Sequence, residues 1–177
     1  MEKKKIWELG RPELEEYRAS AKLPLILVVD NVRSLNNIGS LFRTADAFLI
    51  EEILLCGISA TPPSVEIHKT ALGAEDSVAW RYFPSSVEAL RELKDEGVTV
   101  CVLEQVKGSV SLEKFEIEKD RKYAIVVGNE VDGVDQAVVD MSDFCLEIPQ
   151  YGTKHSLNVS VSAALAMWHF FVKMKNL

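Results

Sequence analysis

Short unbroken apolar runs alternate along this chain with segments of helical period, and that alternation restricts the possible folds more than any other feature. Leu25 to Val29, Ile53 to Cys56 and Tyr123 to Val127 are strand-length apolar runs, and Val98 to Leu103 and Phe144 to Ile148 read as strands that are apolar except for Thr99 and Glu147, the pattern of strands buried on both faces of a parallel sheet. Val78 to Phe83 is a further strand candidate. Between the first two runs, Ile38, Leu41, Phe42, Ala45 and Phe48 recur at helical spacing. Val87, Leu90 and Leu93 do the same within Ser86 to Glu96, which Gly97 ends. Asp135 to Met141 reads as a short helix, and Ser156 to about Lys173 as a long one. Residues 12–21 have helical composition, with Pro12 at a first-turn position. Gly57 to Ser64 holds Pro62-Pro63 and reads as a loop, and Lys107 to Lys122 is charged and lacks a period. Strands alternating with helices define an α/β fold, a mostly parallel sheet with helices on both faces.

Composition narrows the class. The 177 residues are 47% hydrophobic, with mean hydropathy +0.04, enough for one domain with a sizeable core. No apolar run approaches the roughly 18 residues of a membrane span, and MEKKKIWELGRPELEE is too charged for a signal peptide. Cys56, Cys101 and Cys145 are odd in number, unpaired in spacing and set in apolar runs. Reduced, buried thiols in the cytoplasm are the expectation. His68, His155 and His169 lack ligand spacing, so no metal site is expected. The net charge of −7 argues mildly against a broad phosphate-binding face. Its distribution is more permissive. Lys69, Lys154, His155, Arg33 and Arg43 are expected in loops near the motifs below, where a local basic patch remains open alongside ordinary solvated charge.

Three segments stand out because each follows an apolar run and precedes a helix: Asp30 to Phe48, Val126 to Val134, and Ile148 to Trp168. Strand-to-helix turns at one sheet edge are where α/β folds bind ligands. The third segment is glycine-bearing and polar, and its helix is expected to open on Ser156-Leu157-Asn158. Ser and Asn oxygens there can cap backbone N–H groups or face a ligand.

The same segments carry a family resemblance. Asn37-Ile38-Gly39 with Arg43-Thr44-Ala45, then Gly128-Asn129-Glu130, then Ile148-Pro149, Gly152 and Ser156 to Ser160 resemble, in order, the three motifs of SPOUT methyltransferases of the SpoU branch. These are the TrmH-like tRNA and rRNA ribose 2′-O-methyltransferases. Lys69 to Ala74 is similar to the small-residue stretch before the family's third strand. The resemblance runs from about Leu25 to Phe171. It implies a deep C-terminal trefoil knot, S-adenosyl-L-methionine as methyl donor, an RNA substrate and a homodimer. Donor contacts carried over by position fall on Gly128, Ile148 and Leu157.

Transfer to a ribose hydroxyl requires that a weak nucleophile be aligned and its proton loss assisted. The resemblance assigns this to Arg43, with Asn37, Glu130, Ser156 and Asn158 completing the pocket. A guanidinium stays protonated, so Arg43 is expected to hold a phosphate and stabilise a developing alkoxide. Each residue has a plainer reading: Arg43 as a surface ion pair with Asp46, Asn37 and Asn158 as helix caps, Glu130 as a dipole-complementing charge. Tyr151 and His155 are given no catalytic role. Residues 1–24 are expected to form a short helical extension and 25–177 the catalytic domain, which favours tRNA over rRNA. A non-catalytic knotted RNA-binding protein is the alternative. A dinucleotide enzyme ranks last, because no Gly-x-Gly-x-x-Gly follows the first strand.

Overall fold

A computed structural model describes residues 1–176. After a 3-10 turn at Ile6–Glu8, the elements run α1 (Leu14–Ala19), β1 (Leu23–Asp30), α2 (Leu35–Ala47), β2 (Ile50–Cys56), α3 (Val65–Ala71), α4 (Ala74–Ser77), β3 (Ala79–Phe83), α5 (Ser86–Asp95), β4 (Thr99–Leu103), β5 (Val110–Ser111), β6 (Tyr123–Val127), α6 (Gln136–Met141), β7 (Phe144–Glu147) and α7 (Val159–Lys175). The seven strands form one sheet in the order β3-β2-β1-β6-β4-β7-β5, and every pairing is parallel. The expected α/β class with a parallel sheet is what the chain adopts.

Alternate side chains of the central strands enter two separate cores, as the period of a strand requires. Leu25, Leu27 and Val29 of β1, with Tyr123, Ile125 and Val127 of β6, pack against α2, α3 and α7 through Ile38, Phe42, Ile67, Met167 and Phe170. Ile26 and Val28, with Ala124 and Val126, pack against α5 and α6 through Leu90, Leu93 and Val138. Burial on both faces explains why these strands are continuous apolar runs rather than alternating ones.

Several local expectations need correction. Residues 65–77 form α3 and α4, joined through Leu72 at φ 54° and Gly73 at φ 92°. Lys69 therefore lies on a helix, where it pairs with Glu66 at 2.7 Å, rather than in a loop. Arg43 likewise lies on α2, not in a loop. The charged stretch from Lys107 to Lys122 contains the edge strand β5 and a 3-10 turn, Leu112–Lys114, anchored by buried Leu112 and Phe115. Pro12 precedes α1, whose N-cap is Glu13. The last helix begins at Val159 with Asn158 as its cap, three residues later than expected. Ser156 and Leu157 belong to the preceding loop.

Candidate active site

All three motif segments meet at the C-terminal ends of the parallel strands. β2 and β3 lie on one side of β1, and β6, β4, β7 and β5 lie on the other, so strand order reverses at β1, beside β6. Ligand crevices form outside the strand ends at such a reversal. A cavity of about 670 Å³ opens there, over the ends of β4, β6 and β7. Its apolar wall includes Leu103, Val127, Ile148 and Leu157, and its polar wall Glu104, Gln105, Glu130 and Ser156.

The loop after β6 folds back tightly. A Cβ on Gly128 would come within 3.0 Å of backbone atoms of Gly133 and Val134, so only glycine permits this approach. Asn129 and Gly133 form a bridge across the loop. The Asn129 carboxamide oxygen accepts the N–H groups of Val131 at 2.9 Å and Asp132 at 2.8 Å. This turn presents Glu130 outward. Glu130 Oε1 accepts a hydrogen bond from Asn37 Nδ2 at 2.6 Å. Asn37 Oδ1 accepts one from Asn158 Nδ2 at 3.1 Å. One residue from each motif thus joins a single chain of hydrogen bonds, Glu130–Asn37–Asn158, across sequence separations of 93 and 121.

This arrangement bears on the plainer readings. Asn158 is a cap, with Oδ1 accepting Ser160 N–H at 2.9 Å, yet its amide is free to bind Asn37 at the same time. Asn37 is not the cap of α2. Ser34 is, with its hydroxyl accepting Asn37 N–H at 3.3 Å. Asp135, not Glu130, caps α6. Arg43 is exposed and forms no ion pair among the described residues. Asp46 instead accepts from Ser77 Oγ at 2.6 Å.

Gly128, Ile148, Leu157, Ser156 and Glu130 all line the cavity. Asn37 and Asn158 reach it through Glu130. Arg43 is not among the residues that line it. It lies six residues past Asn37 on α2, about 9 Å along the axis. Sequence reasoning missed Glu104 and Gln105. Gln105 Nε2 donates to the His155 carbonyl at 2.7 Å, tying the third motif loop to the end of β4. Their one signal was position, immediately after a strand whose C-terminal end faces the ligand side. Among the described residues no helix is long and apolar enough to cross a membrane.

A parallel α/β sheet with a concave ligand site built from three strand-to-helix turns is the class that fold and site define. Residues 24–168 match the model of the SpoU rRNA Methylase family, and the chain belongs to that family. It is 35% identical over 157 residues to the 23S rRNA (guanosine(2553)-2′-O)-methyltransferase RlmP of Bacillus subtilis, covering 88% of this chain and 60% of that protein. A. aeolicus TrmH/SpoU tRNA modifying enzyme superposes with a TM-score of 0.81 at 26% identity, over 92% of this chain and 81% of that one. An RNA 2′-O ribose methyltransferase superposes at 0.77 with 28% identity, over 96% and 63%. The chain spans about three fifths of the length of the curated relatives it matches, 63% and 60% in two of them.

Proposed function

We propose that the chain is an S-adenosylmethionine-dependent RNA methyltransferase acting on a ribose 2′-hydroxyl, with tRNA ahead of rRNA as substrate. The observation that carries the reading is the convergence of Gly128, Ile148 and Leu157 on one cavity whose rim bears the Glu130–Asn37–Asn158 chain. The cavity suits the donor. Its volume lies within the roughly 300–1,000 Å³ of cofactor sites. It offers an apolar slot for a purine, backbone groups beside Gly128, and a carboxylate at Glu130 that complements a cationic ligand. Bound there, the donor supplies an electrophilic methyl group on a sulfonium.

The chain's own residues align the acceptor. Asn37, fixed from both sides by Glu130 and Asn158, orients the ribose. Arg43, without an ion-pair partner among the described residues, is available to an RNA phosphate, and its fixed positive charge lowers the cost of an alkoxide. A homodimer belongs to the same proposal. Val161, Leu165 and Trp168 of α7 are 48%, 44% and 50% exposed, and their spacing puts them on one helical face. The trefoil-knotted chain path, action in the cytoplasm, and the division into a 1–24 extension and a 25–177 catalytic domain are also part of the reading.

Calorimetry with purified protein tests it. S-adenosylmethionine or its demethylated product is expected to bind with micromolar affinity, about −8 kcal/mol. Absence of binding by folded protein, with and without RNA, refutes the methyltransferase reading.

A further inference from the structure

Strand β6 lies between β1 and β4, and each neighbour ends in a carboxylate that the chemistry above does not use. Asp30 is the last residue of β1 and Glu104 directly follows β4. Asp30 Oδ2 accepts the backbone N–H of Asp135 at 3.1 Å. Glu104 Oε2 accepts the backbone N–H of Val134 at 3.1 Å. Two carboxylates, one from either side, thus hold consecutive amides on the return limb of the 128–135 loop.

Both side chains are committed to this task. Asp30 is 2% exposed and makes none of the ion pairs among the described residues. Its Oδ1 accepts from Ser86 Oγ at 2.5 Å and from Asn31 Nδ2 at 2.9 Å. A carboxylate buried without a cation is tolerated only when N–H and O–H donors replace its hydration. Three such donors are present here, one of them the loop amide. Glu104 Oε1 accepts Gln105 N–H at 2.8 Å, which fixes the carboxylate plane. Gly133 lies directly against it, and a Cβ there would fall within 3.0 Å of Oε2. The loop therefore rests on the carboxylate itself.

We propose that Asp30 and Glu104 form a two-sided carboxylate clamp that fixes the return limb of the 128–135 loop and so holds Glu130 against Asn37. They are positioning residues. The near limb of the loop is anchored by β6 in the sheet. The far limb joins no strand, and beyond the Asn129–Gly133 bridge the clamp anchors it before α6 begins. With both limbs fixed and the Asn129 turn closed between them, Glu130 has one place to point. The clamp is a statement about geometry, whereas its effect on turnover rests on the proposed methyl transfer.

The test uses the full chain with Glu104→Ala, Glu104→Gln and Asp30→Asn, each also in a Glu130→Ala background. Nuclear magnetic resonance reads amide exchange at Val134 and Asp135 and the side-chain amide signal of Asn37. Glu104→Ala is expected to speed exchange at Val134 by about tenfold or more, as loss of a charge-assisted bond implies, and to move the Asn37 signal. Glu104→Gln, which keeps one acceptor oxygen, recovers part of both. Single-turnover methylation at saturating donor is expected to fall about tenfold in Glu104→Ala and to fall no further when Glu130 is already alanine. Unchanged exchange at Val134 with an unmoved Asn37 signal overturns the clamp. So does an equal rate loss in the Glu130→Ala background. A wild-type protein inactive on every RNA refutes the proposed function instead, and the exchange arms still decide the clamp. If Asp30→Asn does not fold, the Glu104 variants carry the test alone.

Discussion

Gly39→Ala tests how the site is seated on the fold. Gly39 is buried on α2 where α3 crosses it. A Cβ there would lie under 3.0 Å from Thr70 Oγ1 and from the Ile67 carbonyl oxygen, and at 3.0 Å from Ala71 N. Two of the three obstacles are backbone atoms of α3 and cannot rotate away. Thr70 Oγ1 is itself held, donating to the carbonyls of Asn36 at 3.1 Å and Ile67 at 3.3 Å. Overpacking a tight core contact costs about 1–3 kcal/mol, and a backbone obstacle puts this case at the upper end. Replacing glycine by alanine inside a helix returns about 1 kcal/mol. The net is a destabilisation of about 2 kcal/mol. For a chain of this size that lowers Tm by roughly 4–8 °C.

The same displacement reaches the chemistry. Asn37 sits two residues earlier on α2, and its 2.6 Å bond to Glu130 tolerates little movement. Gly39→Ala is therefore expected to lose turnover while keeping donor binding, because the cavity walls come from β4, β6 and β7. Thermal melts followed by circular dichroism, with calorimetry for the donor, read both effects. Adding Thr70→Ala removes one obstacle and leaves the two backbone ones, so it restores less than half of the lost stability. A Gly39→Ala protein that melts at or above the wild-type temperature refutes the packing argument.

Arg43→Ala is expected to keep fold and donor binding while lowering turnover by about 10²–10³. Arg43→Lys rescues poorly, because a point charge does not replace a planar fork; near-normal turnover in tritium-transfer assays on an undermodified tRNA pool would contradict this. Leu157→Arg places a long charged side chain into the apolar wall, so calorimetry is expected to show donor binding abolished with RNA affinity largely kept. Alkaline conditions are expected to destabilise the chain. Burial, foremost, pushes the Cys56 and Cys101 thiols up to about 12. Between the ordinary value of 9.0 and that value, the unfolded state sheds protons that the native state retains. Stability then falls as pH rises, by at most about 1.4 kcal/mol per unit for each thiol; urea midpoints that stay level from pH 8 to 11 would contradict it.

The elements that sequence reasoning located are those whose burial leaves a mark along the chain. β1 and β6 are covered on both faces, so they read as apolar runs. α2 is covered on one face, so Ile38, Leu41, Phe42 and Ala45 keep helical period. The elements it missed leave no such mark. α3 and α4 are seven and four residues long, too short to establish a period. β5 has two residues and sits at the sheet edge, within a charged tract. The start of α7 was misplaced because Ser156 and Asn158 are equally good caps by residue type. What separates them is tertiary: Asn158 divides its carboxamide between Ser160 and Asn37, while Ser156 faces the cavity.

The same distinction holds within the site. Each motif could be recognised because it is contiguous, and together they marked most of the cavity. The links that turn three motifs into one arrangement are not contiguous. Glu130 and Asn37 are 93 residues apart, and Asp30 and Asp135 are 105 apart. Asp30 and Glu104 look in sequence like ordinary polar residues closing apolar strands. Their significance comes from the strand order, which brings the ends of β1 and β4 to either side of β6. Parallel pairing aligns those three ends on one level, because Val29 is in register with Val127 and Val102 with Val126. The last residue of β1, Asp30, and the first residue after β4, Glu104, thereby meet the loop that leaves β6. Acidic residues there can hold its backbone N–H groups, which basic residues at the same positions could not do.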